Sequence, residues 1–130
     1  MEKKDLKVLV CDDSLLIRKK MKDALAEIGI DHISEAENGQ EAVQFCKNND
    51  VDVIFMDIVM PEKDGITALT EIKELDKDVK VVMVSSAGTQ SHLKKAVKLG
   101  VYDFIQKPIN KNALEQIIEK ILKESEDSNV

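Results

Sequence analysis

Apolar positions recur along the chain in two alternating rhythms. Short runs rich in apolar residues occupy 7–11, 32–36, 51–56, 79–84 and 102–106, and the stretches between them space their apolar residues by three and four. Those stretches carry Ile17, Met21, Ala24, Leu25 and Ile28; then Ala42, Val43 and Cys46; then Leu69 and Ile72; then Leu93, Ala96 and Val97; and last Leu114, Ile117, Ile118, Ile121 and Leu122. The first rhythm predicts strands, the second amphipathic helices with one buried stripe. Five βα units follow, with no internal repeat and no low-complexity segment.

A helix between successive strands excludes hairpins, so the strands run parallel through right-handed crossovers. The strands differ in polarity: VLV, VIFM and VVMV are continuously apolar, whereas HISEA and YDFIQ mix in polar residues. Continuous runs suit strands covered on both faces, which places the first, third and fourth in the centre and the second and fifth at the edges. The simplest winding that meets this condition is a doubly wound α/β sandwich of order 2-1-3-4-5. Ligands of such sheets gather at the carboxyl ends of the strands, where the winding reverses between the first strand and the third.

That reversal gives meaning to VDVIFMDIVMPEKDG, where a core strand stops on a carboxylate, Asp57. The first strand is followed at once by Asp12 and Asp13, and neighbouring strands lie about 4.8 Å apart, so three carboxylates are expected to converge. Two unit charges about 4 Å apart repel by about 4 kcal/mol at an effective dielectric of 20. A hard divalent cation with oxygen ligands offsets this, and Mg²⁺ is the natural candidate because it takes one or two carboxylates together with waters and a phosphate. Lys107, in FIQKP, brings an ammonium to the same rim, and Ser85 and Ser86 bring hydroxyls. Acids, hydroxyl and lysine together are what a phosphoryl site requires, with a carboxylate ready as nucleophile. Read singly, Asp13 before Ser14 could be a helix cap, Asp57 a strand terminator and Lys107 a loop residue; the constellation carries the signal.

Composition narrows the partners. The 130 residues suffice for one domain, expected over 1–124, with a polar tail at 125–130. A net charge of -6 argues against nucleic acid or anionic lipid as a partner and favours a protein. No leader or membrane-spanning run is found, so a cytoplasmic location is expected. Cys11 and Cys46 lack metal spacing and read as small buried hydrophobes, and His32 and His92 read as surface residues.

CDDS after the first strand, FMDIVMPEKDG around the third, VSSA after the fourth and DFIQKP at the fifth resemble the receiver domains of two-component response regulators, especially the stand-alone chemotaxis type. The resemblance runs from about Lys7 to Leu122 and implies a flavodoxin-like fold. It implies that Asp57 is the phosphoacceptor, that Asp12, Asp13, Asp57 and the Val59 backbone carbonyl hold Mg²⁺, that Ser85 binds a phosphoryl oxygen and that Lys107 pairs with the phosphate. Phe104 aligns with the aromatic switch position, and the Lys107–Pro108 peptide is expected to be cis. The implied protein is a switch that catalyses its own Mg²⁺-dependent phosphorylation and dephosphorylation rather than an enzyme acting on a separate substrate.

A histidine kinase is the implied donor, and a target protein at the face of the fourth helix, fifth strand and fifth helix the implied listener. That face carries Lys94, Lys95, Lys98, Gln106 and Lys111. Departures from the pattern are Ser85 in place of threonine, Phe104 in place of tyrosine, and Val59 and Ala87, which cannot activate an attacking water. The polar tail leaves no room for a DNA-binding output, so output is expected through a partner, in motility or in a phosphorelay. A haloacid-dehalogenase-type phosphatase needs a second acid where Val59 stands. A flavin module needs a hydroxyl-rich phosphate cradle where DDS stands. A receiver that binds partners without phosphorylation shares the fold and is set apart only by the intact site.

Overall fold

The computed structural model describes residues 1–60, 63–75, 77–86 and 90–127. A short 3-10 turn, Lys3–Asp5, leads into β1 (Lys7–Cys11), α1 (Leu15–Ile28), β2 (His32–Ala36), α2 (Gly39–Asn48), β3 (Val53–Asp57), α3 (Gly65–Glu74), β4 (Lys80–Ser85), α4 (Gln90–Lys98), β5 (Asp103–Gln106) and α5 (Lys111–Asp127). All pairings are parallel and the order is β2-β1-β3-β4-β5, as the polarity of the strands predicts. Every residue of β3 is buried, whereas β2 buries only Ala36 and β5 only Ile105.

Alternation along the strands sorts the core into two layers. Leu9, Cys11, Ile54, Met56, Val81 and Met83 face α2, α3 and α4, meeting Ala42, Val43, Cys46, Ala68, Leu69, Ile72 and Ala96. Val8, Val10, Val53, Phe55, Val82 and Val84 face α1 and α5, meeting Met21, Leu25, Ile28, Leu114, Ile118 and Ile121. Central strands buried on both faces are the physical reason their runs are unbroken.

β3 and β4 run one residue further than their apolar runs: β3 ends on Asp57, as the sequence reading expects, and β4 ends on Ser85, one residue short of Ser86. Sheet hydrogen bonding therefore fixes their backbones. The last helix also continues past Leu122 to Asp127, so residues 125–127 belong to α5; 128–130 lie outside the described residues.

Candidate functional site

Register brings the acids together. Cys11 pairs with Met56 and Asp57 with Val84, so Asp12, one step beyond Cys11, comes up beside Asp57. One carboxylate oxygen from each of Asp12, Asp13 and Asp57 can lie within 4.8 Å of the others. Asp12 and Asp57 are buried, at 1% and 7% exposure, and Asp13 is exposed. Capping of α1 falls to Ser14, whose Oγ accepts from the Ile17 N–H at 3.3 Å, which leaves Asp13 out of that role.

Lys107 stands between the two buried acids. Its Nζ donates to Asp57 Oδ2 at 3.2 Å and lies 3.3 Å from Asp12 Oδ2. The Lys107 N–H donates to the Ser85 carbonyl at 2.7 Å, tying the loop to the end of β4, and the Lys107–Pro108 peptide is cis. Asp57 Oδ1 receives the Val59 N–H at 3.4 Å, and Asp12 Oδ1 receives the Ser14 N–H at 2.8 Å. Among the described residues the buried Asp12 Oδ2 has no hydrogen-bond partner, its neighbour being the Lys107 ammonium in an ion pair.

The electrostatics follow from burial and crowding. Burial, then the Asp12 charge, push the Asp57 carboxyl above its usual range, against the pull of Lys107. Burial alone would lower the Lys107 ammonium, but the Asp57 and Asp12 carboxylates outweigh it and hold it above its usual value. Cys11, one residue upstream, is pushed up by burial and by Asp12 and Asp57, so it stays a thiol; its Sγ contacts the Asn38 carbonyl at 3.3 Å. Cys46 is buried too and raised to about 11 by burial, consistent with inert packing.

Among the described residues three carboxylates against one ammonium leave an excess of negative charge, and Asp12 Oδ2 is a buried acceptor without a hydrogen-bond donor. An all-oxygen donor set of this kind fits a hard divalent cation such as Mg²⁺.

The remaining expected residues frame this cluster. Ser85 is buried at the end of β4, its Oγ 3.5 Å from the Ile105 carbonyl. Phe104 on β5 is 48% exposed and Val59 is 52% exposed. Ala87 lies outside the described residues. Gly65 closes the loop after β3: its N–H donates to the Ile58 carbonyl at 2.7 Å, and a Cβ there would collide with the Asp57 carbonyl oxygen. On the proposed output face Lys94, Lys95, Lys98 and Gln106 are exposed, but the Lys111 ammonium pairs with Glu27 of α1 at 3.2 Å and so adds less to the basic surface than its position suggests.

Sequence reasoning missed Arg18. It is 6% exposed, and its Nη1 donates to the Asp12 carbonyl at 2.8 Å. The signal was present in the helix period: the buried residues of α1 are Arg18, Met21, Leu25 and Ile28, so a charge occupies the first place of an apolar stripe.

A parallel sheet of this winding with an acid cluster at its reversal defines a receiver domain, and residues 8–119 match the response regulator receiver domain family; the chain belongs to it. Its relatives include the chemotaxis protein CheY of Bacillus subtilis, 41% identical over 89% of this chain and 97% of that protein, and CheY of Halobacterium salinarum, 43% identical over 88% and 95%. A chain of the CheX-CheY-BeF3-Mg+2 complex from Borrelia burgdorferi is similar in structure, with a TM-score of 0.83 and 34% identity over 90% of this chain and 89% of that one. A response regulator receiver domain protein from Clostridium thermocellum superposes with a TM-score of 0.85, at 27% identity over 93% and 97%. Among the described residues no helix is long and apolar enough to cross a membrane.

Proposed function

We propose that the chain is a single-domain response regulator of the chemotaxis type, switched by phosphorylation of Asp57. The observation that carries this reading is the convergence of Asp12, Asp13 and Asp57 around the Lys107 ammonium at the point where the sheet's winding reverses. The donor is the phosphohistidine of a cytoplasmic kinase or a small acyl or amido phosphate. An Asp57 carboxylate oxygen attacks phosphorus, the bond from phosphorus to the donor nitrogen or oxygen breaks, and the leaving group takes the electron pair; a nitrogen leaving group also takes a proton from solvent, whereas an acyl donor departs as its carboxylate.

Mg²⁺, when held by Asp12, Asp13, Asp57 and the Val59 carbonyl, supplies charge neutralisation for the phosphoryl oxygens and for the crowded acids. Lys107, already beside Asp57, pairs with the incoming phosphoryl group. Ser85 turns its hydroxyl from the Ile105 carbonyl to a phosphoryl oxygen. That contact at 3.5 Å is long, so little is lost on turning.

Phe104 is half exposed, and burial of its ring on phosphorylation links the site to the face of α4, β5 and α5. A partner with an acidic or amphipathic segment reads that face through Lys94, Lys95 and Lys98, since only a surface that differs between the two states can favour one of them.

Incubation with acetyl phosphate tests the site. Mass spectrometry is expected to find one phosphoryl group on the wild type with Mg²⁺ and none with EDTA. Undiminished labelling of Asp57→Asn would overturn the assignment. For the output face, Lys94→Glu with Lys98→Glu is expected to weaken binding of the activated protein to its target while labelling of Asp57 proceeds; unchanged binding would remove that face from the account.

A further inference from the structure

Among the described residues four polar side chains are buried: Asp12, Asp57, Ser85 and Arg18. The first three belong to the proposed phosphoryl site, and Arg18 does not touch it through any carboxylate of the cluster. Its guanidinium instead bridges two elements. Nη1 donates to the Asp12 carbonyl at 2.8 Å, Nε donates to Glu35 Oε1 on β2 at 3.0 Å, and Nη2 lies 3.9 Å from Glu37 Oε1. Glu35 is in turn held by Lys22 at 2.9 Å.

The Asp12 carbonyl belongs to the peptide plane that joins Asp12 to Asp13. Because that plane is rigid, fixing its oxygen sets ψ of the first acid and φ of the second, and with them the direction of both side chains. The preceding plane is fixed as well, since the Asp12 N–H donates to the Ala36 carbonyl at 3.2 Å. A packing role alone does not call for arginine here. Met21, Leu25 and Ile28 fill the other places of the same stripe, and burying a guanidinium costs several kcal/mol that an apolar side chain would not incur.

We propose that Arg18 is a positioning residue for the acid cluster, holding the Asp12–Asp13 peptide so that both carboxylates face Asp57. This rests on the phosphoryl-site reading given above. The sign of one measurement separates positioning from charge. Removing a cation beside an acid cluster strengthens Mg²⁺ binding by electrostatics alone, whereas loss of positioning weakens it.

Mg²⁺ affinity of the full chain is read by isothermal titration calorimetry, with folding checked by circular dichroism. Arg18→Met is expected to bind Mg²⁺ about tenfold more weakly than the wild type, the size of effect that groups orienting metal ligands commonly have. Equal or tighter binding by folded Arg18→Met overturns the proposal. Should that variant fail to fold, Arg18→Lys keeps the charge but not the fork; it is expected to bind about threefold more weakly, and equal affinity overturns the proposal. A second readout is the amide resonance of Ser14, whose N–H donates to Asp12 Oδ1. It is expected to shift in both variants, and an unmoved resonance counts against positioning. A wild type that binds no Mg²⁺ would sink the phosphoryl-site reading, while the Ser14 resonance would still decide the role of Arg18.

Discussion

Two aspartates bracket the same central strand and meet opposite fates. Asp52, just before β3, has its Oδ2 occupied by the Lys7 N–H at 2.8 Å, while its own N–H donates to the Lys7 carbonyl at 2.9 Å and its carbonyl accepts from the Lys80 N–H at 3.0 Å. Asp57, the last residue of β3, has a 3.4 Å bond from Val59 and otherwise a lysine and a second acid. Backbone donors are fixed partners that hold a carboxylate in one job. A mobile ammonium and a neighbouring charge leave it free to change partners, and the amino end of the sheet is therefore built for stability where the carboxyl end is built for chemistry.

The largest expected contrast between the two is chemical. Asp57→Asn should lose all phosphoryl incorporation from acetyl phosphate, and Asp52→Asn should retain it at a rate within about twofold of the wild type, because it leaves the cluster untouched. Loss of labelling in both variants would dissolve the distinction between the two ends of the strand.

A smaller contrast lies within the cluster. Asp12 has one oxygen bonded to Ser14 and the other beside Lys107, whereas Asp13 is exposed. We propose that Asp13 meets Mg²⁺ directly and that Asp12 acts through water. Asp13→Ala is expected to lower Mg²⁺ affinity by about tenfold and Asp12→Ala by less, as calorimetry would show. Equal losses would overturn the assignment of direct and water-mediated ligands.

These contrasts show how far the sequence carries. The winding was legible because polarity differs sharply between HISEA or YDFIQ and the three apolar runs, and burial on one or two faces is what produces that difference. The convergence of Asp12, Asp13, Asp57 and Lys107 was legible because strand ends are fixed by the same topology. What the sequence did not disclose is which oxygens are already satisfied, since Asp52 and Asp57 stand in similar apolar stretches of sequence, and their difference in burial and in partners such as Lys7, Lys107 and Asp12 comes from residues far along the chain. Arg18 escaped for a related reason: Ile17 looked like the natural first member of the α1 stripe, yet it is only half-buried, and the helix turns Arg18 inward to reach β1 and β2.

Stability should move in opposite directions at the two ends of β3. Asp52→Ala removes the acceptor of the Lys7 N–H and is expected to cost about 1 kcal/mol in urea unfolding. Asp57→Asn removes a charge that burial and Asp12 disfavour, so without metal it is expected to raise Tm by a few degrees. Its pH dependence follows from the raised carboxyl. Below the ordinary value of 3.8 the group is protonated in folded and unfolded chains alike and carries no penalty. The penalty grows as pH rises past 3.8 and is complete above the folded-state value. The advantage of Asp57→Asn should therefore vanish in acid, and an advantage independent of pH would mean that charge is not its source.

The smallest expected effect has the reverse sign and comes from β2. Glu35 is held below its usual carboxyl value by the Lys22 hydrogen bond, with burial opposing and the Arg18 bond assisting. A depressed carboxyl contributes stability that is fully present above the ordinary value of 4.5 and is lost as pH falls through the folded-state value. Glu35→Gln should therefore destabilise the protein at neutral pH, and the deficit should close in acid, the mirror image of Asp57→Asn. The effect is small because the side chain is 35% exposed and water screens its partners. Salt offers a further separation: added sodium chloride should shrink the Glu35 deficit, while the Asp57 penalty, generated among groups shielded from solvent, should respond much less. Parallel unfolding curves of the two variants at neutral and acid pH, with and without salt, would show it, and a Glu35→Gln deficit that persists below the folded-state value would assign that residue's contribution to packing rather than charge.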